Sequence, residues 1–279
     1  WSSDGALPIC IRGAWVEKRV ALFKNMLDFG YQIIPLSEAT DPTKDDGFET
    51  FEFSQYTPVH FHLAVGTSHY WYAFTDSELR RRGRMTPWQK RRRAELEERF
   101  GRPDPASIEK EVAALLDLLV PAGHSASIHS DEHPAYRRAL RRLPDRRFVH
   151  RVTSSKVRRT THNPLFAVNL LDLLIRHSSA NHKRETIAFS KRRQSAAERL
   201  AILQVWRNYM KSFSERKRDL SPAERLGILD RRLAVHDVLE RRLFPSQIRL
   251  PERLARYYRR EIPTRRIPNS TPHALRFAF

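Results

Sequence analysis

The chain has 279 residues, enough for one large domain or two small ones, and an apolar fraction of 40% excludes a disordered polymer. Lys and Arg number 51 against 32 Asp and Glu, a formal charge of +19; such a field attracts polyanions, usually nucleic acid, although a GC-rich genome would raise the arginine count by itself. No apolar run approaches the roughly 20 residues of a spanning helix, which argues against a membrane protein, and the single cysteine, Cys10, excludes an internal disulfide and argues against a cysteine zinc site.

No secretory signal stands at the amino end, which together with the lone cysteine suits a reducing cytoplasm. Trp1 is not an initiator residue, so a fragment of a longer chain is expected. Ala14 to Leu27 reads as an amphipathic helix with Val16, Val20, Leu22, Phe23 and Met26 on its apolar face, and Thr40-Asp41-Pro42-Thr43-Lys44 reads as a turn or linker. Residues 1–44 are therefore expected to form a helical remnant or linker.

Gly47 to Phe53, Val59 to Val65 and Tyr70 to Thr75 are rich in β-branched and aromatic residues and are separated by short turns, the pattern of an antiparallel meander with Asp45 at the beginning of its first strand. Arg80 to Arg93 is densely basic around Trp88 and leads into a charged helix ending near Phe100. Its reading is either a solvated helix surface or a phosphate-gripping segment in which the Trp88 ring stacks on an unpaired base. Ile108 to Val120 predicts a core-facing helix stopped by Pro121 and Gly123.

Ser127 to Asp131 is a short β-prone run that ends on a carboxylate, and Pro134 then opens a helix over Ala135 to Leu143. Taken alone, Asp131 is an ordinary acid near a helix start; at a strand end it is also where a ligand or metal can be reached. Phe148 to Val152 predicts another strand, and Ser154 to His162 a basic, hydroxyl-rich loop suited to phosphate contacts. Asn163-Pro164 opens a helix through Ile175 that carries Asn169 and Asp172 on one face. Leu170, Leu171, Leu173 and Leu174 surround Asp172, so a largely buried carboxylate is expected there, compensated either by Arg176 one turn on or by a metal ion. Ser195 to Lys211 predicts a further helix, Ser221-Pro222-Ala223-Glu224 has the form of a capping box, and the arginine-rich tail from Arg231 is broken by prolines.

This order, βββ-α-β-α-β-α, is that of the ribonuclease-H-like fold: an α/β class with a mixed sheet flanked by helices, here with helical N-terminal and C-terminal extensions. Residues 45–213 are expected to form it, with a basic helical insert over 78–120, and 214–279 a basic helical C-terminal extension. In that fold the first and fourth strands are neighbours, which would bring Asp45 near Asp131, with Asp172 approaching from a helix beside them. Three converging carboxylates repel one another unless cations neutralise them. Two magnesium ions, for which Mn2+ may substitute, are the expected cofactors, since hard cations on oxygen ligands activate the attacking oxygen and stabilise the leaving one in phosphodiester exchange.

The same residues resemble a bacterial insertion-sequence transposase of the DDE class, of the insertion sequence one type. Asp45-Asp46-Gly47-Phe48-Glu49-Thr50-Phe51 is similar to the first-acid strand, usually Asp-Glu followed by an aromatic. Ser130-Asp131-Glu132-His133-Pro134-Ala135-Tyr136 resembles the second-acid motif, Thr-Asp-Gly-x-x-x-Tyr. Arg184-Glu185-Thr186-Ile187-Ala188-Phe189-Ser190-Lys191 resembles the Arg-Lys-Ser-Leu-Ser-Phe-Ser-Lys segment after the third acid. The likeness runs from about Lys44 to Lys211. It implies a DNA transposase that cleaves transposon ends and joins the 3′ hydroxyl to target DNA, acting as a homo-oligomer on DNA in the bacterial cytoplasm, at the nucleoid.

One position departs from the family. Counted back without gaps from Arg184 and Phe189, the catalytic Glu falls on Asn169, which lacks the charge; Asp172, one turn later on the same face, is the assigned third acid, with Asn169 a neutral neighbour and Glu185 the alternative. DNA contacts are expected from Arg91, Arg92, Lys156, Arg158, Arg159, Lys183, Arg184 and Lys191. The departure keeps two alternatives open, a catalytically inactive nucleic-acid-binding remnant and a nuclease of the ribonuclease H type that only hydrolyses. His60, His62 and His69 on or near adjacent strands form a weaker, transition-metal candidate, and His124, His129 and His133 flank Asp131. The sequence contains neither a Gly-x-x-x-x-Gly-Lys phosphate loop nor a Gly-x-Ser-x-Gly elbow, which argues against nucleotide-driven motors and serine hydrolases.

Overall fold

The computed structural model describes residues 43–183, 189–190, 192–214, 220–239 and 252–263, with 43–47, 238–239, 254 and 258 as backbone only. The helix expected over Ala14 to Leu27 lies outside the described residues. Five strands, β1 (Thr43–Phe51), β2 (Pro58–Val65), β3 (Trp71–Glu78), β4 (Ser125–Ser130) and β5 (Arg147–Val152), form one mixed sheet in the order β3-β2-β1-β4-β5. The first three are antiparallel neighbours, as the meander predicts, whereas β4 runs parallel to β1 and β5 parallel to β4.

The helices are α1 (Pro87–Phe100), α2 (Ser107–Leu119), α3 (Pro134–Arg141), α4 (Phe166–Ser178), α5 (Arg193–Val205), α6 (Pro222–Arg225), α7 (Val235–Leu239) and α8 (Glu252–Tyr258). Among the described residues no helix is long and apolar enough to cross a membrane.

β2 lies inside the sheet and is covered on both faces, so its side chains divide by parity. Phe61, Leu63 and Val65 join Phe48 and Phe74 in a core closed by Val168, Leu171 and Ile175 of α4 and Leu200 of α5. Ala64 faces the other way, where Leu115 and Leu119 of α2 cover it. Each large apolar side chain buried in these layers stabilises the fold by about 1.5–3 kcal/mol. Tyr257 of α8 and Ile262 belong to the first core, so this part of 214–279 is built into the sheet domain's interior.

Two strand ends differ from expectation. β1 begins at Thr43, because Lys44 pairs with Val65 and Thr43 with Ile128; part of the expected linker is thus strand, and Asp45 is its third residue. Phe53 lies beyond β1, at φ 61°, in the turn that returns the chain to β2.

The helix expected over Ser195 to Lys211 changes character at Trp206, where a π-helical turn, Trp206–Met210, follows α5. The wider turn keeps Asn208 on the bare edge of β3: Asn208 Oδ1 accepts from Trp71 N at 3.0 Å, and its Nδ2 donates to Trp71 O at 2.8 Å. Gln204 Nε2 donates to Trp71 O and Tyr72 O at 2.8 and 3.0 Å, so two carboxamides stand where a further strand would pair.

The far end of β3 carries a buried ionic cluster. Asp76 is fully buried and meets Arg193 of α5, Arg253 of α8 and the hydroxyl of Tyr257, while Arg253 also pairs with Glu111 of α2. Burial raises the Glu111 and Tyr257 pKa values, and the charges of Asp76 and Glu78 hold Arg193 protonated against the same desolvation. A buried carboxylate is tolerated here because cations from two helices compensate it.

Candidate carboxylate and nucleic-acid site

The parallel pairing of β1 with β4 sets Asp45 beside Ser130, the residue before Asp131. Two segments far apart in the chain thereby meet at one end of the sheet. Across the other side of β1, Asp45 is the register partner of Ala64 and Asp46 that of Leu63. These partners belong to opposite layers, Ala64 to the α2 side and Leu63 to the α4 side.

Asp131 leaves β4 half-exposed, and its Oδ1 accepts from His133 N at 2.9 Å, a local turn that Pro134 carries into α3. His133 caps that helix, with its Nδ1 accepting from Ala135 N at 3.3 Å. Ser130 Oγ donates to Asp131 O and lies 2.8 Å from His150 Nε2 on β5, whose pKa is lowered by burial and then by Arg137.

Glu132 reaches across to the loop after β5. Its two carboxylate oxygens accept from Ser155 N at 2.8 Å and Ser155 Oγ at 2.9 Å, which hold its pKa below the usual carboxylate range. At the other end of that loop Asn163 Nδ2 donates to Arg158 O at 2.9 Å, and its Oδ1 accepts from Leu165 N at 2.7 Å. Lys156, Arg158 and Arg159 are exposed on the loop so held, as phosphate contacts require. Nothing in the spacing of Glu132 and Ser155 announces this clamp, because the partners come from different strands.

α4 lies against β1 and β2 through one stripe, Ala167, Val168, Leu171 and Ile175. Its opposite side is open: Leu173 is 62% exposed, so the helix is less enclosed than its leucines imply. Asn169 and Asp172 are both half-buried. Arg176, one of the two partners expected for Asp172, meets it: its Nε lies 3.0 and 3.2 Å from the two carboxylate oxygens. The Arg176 guanidinium also covers the Phe48 ring at 5.5 Å and reaches the carbonyl of His182 at 3.5 Å.

His182, which the sequence reading passes over, is buried edge-on to Phe48 at 5.2 Å, and its two ring nitrogens have no hydrogen-bond partner among the described residues. Burial lowers its pKa to about 4, helped by the nearby Arg199 and Arg176 charges.

Among the described residues no group of three His, Cys, Asp or Glu side chains could hold a metal ion. The histidine set is divided: the rings of His60 and His62 lie 4.7 Å apart under α2, while His69 sits 4.6 Å from the Phe213 ring. At the β1–β4 junction the half-exposed Asp131 follows directly on Ser130, the register partner of Asp45, and carboxylate oxygens are the donors a divalent cation takes. Such a cation does not fit Asp172 as that side chain stands, because both oxygens already face a guanidinium.

Of the remaining expected contacts, Arg91 is exposed on α1, Arg92 is exposed and pairs with Glu95 at 2.8 Å, and Lys183 is exposed after α4. Arg184, Glu185 and Lys191 lie outside the described residues. A groove of about 850 Å³ connects His133 and Pro134, the turn following Asp131, with Arg80, Arg81 and Arg82 of the segment leaving β3.

No family model matches the chain, and no curated protein does. Among solved structures it is similar to a chain in the cryo-electron-microscopy structure of the simian T-cell lymphotropic virus intasome in complex with PP2A regulatory subunit B56 gamma. The identity is 13% over 63% of this chain, with a TM-score of 0.26, and the match spans 52% of the other chain, about half its length.

Proposed function

We propose that the chain acts on DNA as a polynucleotidyl transferase, a transposase of the DDE class, on a sheet of the ribonuclease-H-like kind. The observation that carries this reading is the β1–β4 junction: within the order β3-β2-β1-β4-β5, Asp45 of the acid pair in β1 is set beside Ser130, the last residue of the strand that Asp131 follows. The net charge of +19 and the clamped basic loop beside that junction supply what a phosphate backbone needs.

Asp131 and the acids of β1, Asp45 and Asp46, would hold magnesium ions, which when bound activate an attacking oxygen and stabilise a leaving one. Asp172 would join them only on releasing Arg176. Lys156, Arg158 and Arg159 neutralise phosphates on either side of the scissile bond, while Glu132 keeps their loop in place. Water attacks the phosphorus and the P–O3′ bond breaks, freeing a 3′ hydroxyl; the same arrangement would align that hydroxyl on a target phosphodiester, where a new P–O bond forms as the target strand's own 3′ oxygen leaves.

A second reading, a nucleic-acid-binding protein without catalysis, is favoured by one feature: the helix position expected to carry Glu is Asn169, and the neighbouring carboxylate of Asp172 is neutralised by Arg176. A strand-transfer assay with a pre-cut DNA end separates the two. Magnesium-dependent joining that disappears in Asp131→Ala supports the transferase. DNA binding with no cleavage or joining in magnesium or manganese favours the second reading, and hydrolysis without joining identifies a nuclease.

A further inference from the structure

α1 is capped and tied along one polar stripe, and none of its side chains is buried. Its start is fixed by a capping box in which Gln89 N donates to Thr86 Oγ1 at 3.2 Å and Thr86 N donates to Gln89 Oε1 at 3.0 Å. One half-buried polar stripe ties it to the chain leaving β3: Glu97 accepts from Arg80 Nε and Nη2 at 2.8 and 2.9 Å, and Arg93 Nη1 donates to Arg81 O at 3.0 Å. No side chain of the helix is buried, so the fold gains no apolar core from it.

The outward stripe is what this arrangement displays. Trp88 is 62% exposed in the first turn, and Arg91, three positions on, shares its face. Glu97 is taken by Arg80 and Arg93, and Glu95 by Arg92, whereas Arg82, Arg84, Lys90 and Arg91 have no ion-pair partner among the described residues. Exposed cations that pair with nothing among the described residues, on the same segment as a bare indole, add little to the fold and are complementary to one kind of partner. Phosphates satisfy the cations, and the planar face of an unpaired base covers the ring. A groove lined by Arg80, Arg81, Arg82 and Arg102 runs from the C-terminal end of this helix to the turn after Asp131 and continues the basic surface toward that residue.

We infer that α1 and the arginine segment before it form a single-strand contact, in which Trp88 stacks on an unpaired nucleotide flanking the DNA duplex. The inference rests on the reading of DNA as the partner and specifies where, and in what form, that DNA is gripped.

The test uses the full chain with two fluorescent DNA probes, a blunt duplex and the same duplex carrying a single-stranded tail. The tail is expected to tighten binding about tenfold, the effect of one stacked base. Trp88→Ala should erase that advantage while leaving the blunt-duplex Kd within about twofold, and Trp88→Phe should keep most of it. The triple change Arg82→Gln, Arg84→Gln, Arg91→Gln should weaken binding to the tailed probe and reduce its salt slope by about two to three. Because α1 buries no side chain, all these variants should melt with the wild type, and the comparison is made on chains that do. A wild-type chain without tail preference, or a Trp88→Ala chain that retains it, overturns the inference while the DNA reading stands. Failure of the wild-type chain to bind either probe overturns the DNA reading itself.

Discussion

Glu132 and Ser155 are joined twice, through the backbone N–H and the hydroxyl of Ser155, at 2.8 and 2.9 Å. The clamp ties the residue after Asp131 to the loop that carries Lys156, Arg158 and Arg159. Its carboxyl has a lowered pKa because Ser155 donates to the ionised form. Such an acid holds its partner above the ordinary Glu value and releases it as the pH falls through the lower folded value, so the clamp is closed at neutral pH.

Glu132→Ala should therefore loosen the loop without unfolding the sheet. Amide exchange at Ser155 should accelerate, and DNA affinity should fall severalfold while the melting temperature stays within a few degrees. Unchanged exchange at Ser155 would show that the clamp does not hold the loop.

The acids of β1 are separable by register. Asp46 pairs with Leu63 of the α4-side core and Asp45 with Ala64 of the α2-side layer, and α4 is the helix that bears Asn169 and Asp172. If magnesium is bound on the α4 side, Asp46→Ala should abolish strand transfer as fully as Asp131→Ala does, with Asp45→Ala the milder loss. Single-turnover rates of the three variants check this, and equal, small effects of both β1 substitutions would remove the strand from the site.

Arg176 competes with any cation for Asp172. Arg176→Gln should raise the affinity for Mn2+ several-fold, read by calorimetry, because the Asp172 carboxylate then lacks its neutralising partner. In an Asp172→Asn, Arg176→Gln double variant that gain should vanish. Affinity that ignores both changes would mark the pair as purely structural.

Buried neutral histidines make stability depend on pH. His182 and His60 each have a pKa lowered to about 4, first by burial and then by nearby charged groups, His133 in the case of His60. Below its unfolded value near 6.5 the unfolded chain binds the proton more readily, so stability is full above about 6.5 and declines as the pH falls toward 4. For His182 the loss is on the order of 3 kcal/mol across that window. The melting temperature should thus fall steadily between pH 6.5 and 4, and less steeply in His182→Phe, whose ring fits the same edge-on place against Phe48. A flat profile in the wild type would show that these rings are solvated in the folded state.

Local features were readable along the chain. The capping box at Ser221 and Glu224, the start of α3 at Pro134, and β2 with its aromatic and β-branched residues all declare themselves within a few positions. The π-helical turn after Val205 did not, since its advantage lies in bringing Asn208 to the backbone of Trp71, across a gap that periodicity does not record. The apolar neighbours of Asp172 suggested deeper enclosure than α4 has, because neighbours along a helix point in different directions and only one stripe meets the sheet.

By itself the amino-acid sequence determined the strongly basic character and the kinds and order of most elements, because these follow from composition and from patterns of two and 3.6 residues. Only the tertiary structure decided that Asp45 lies beside Ser130, that Glu132 grips Ser155, and that Asp172 turns to Arg176. Those outcomes depend on which surfaces meet after the sheet has closed, where a carboxylate takes the nearest donor that compensates its charge.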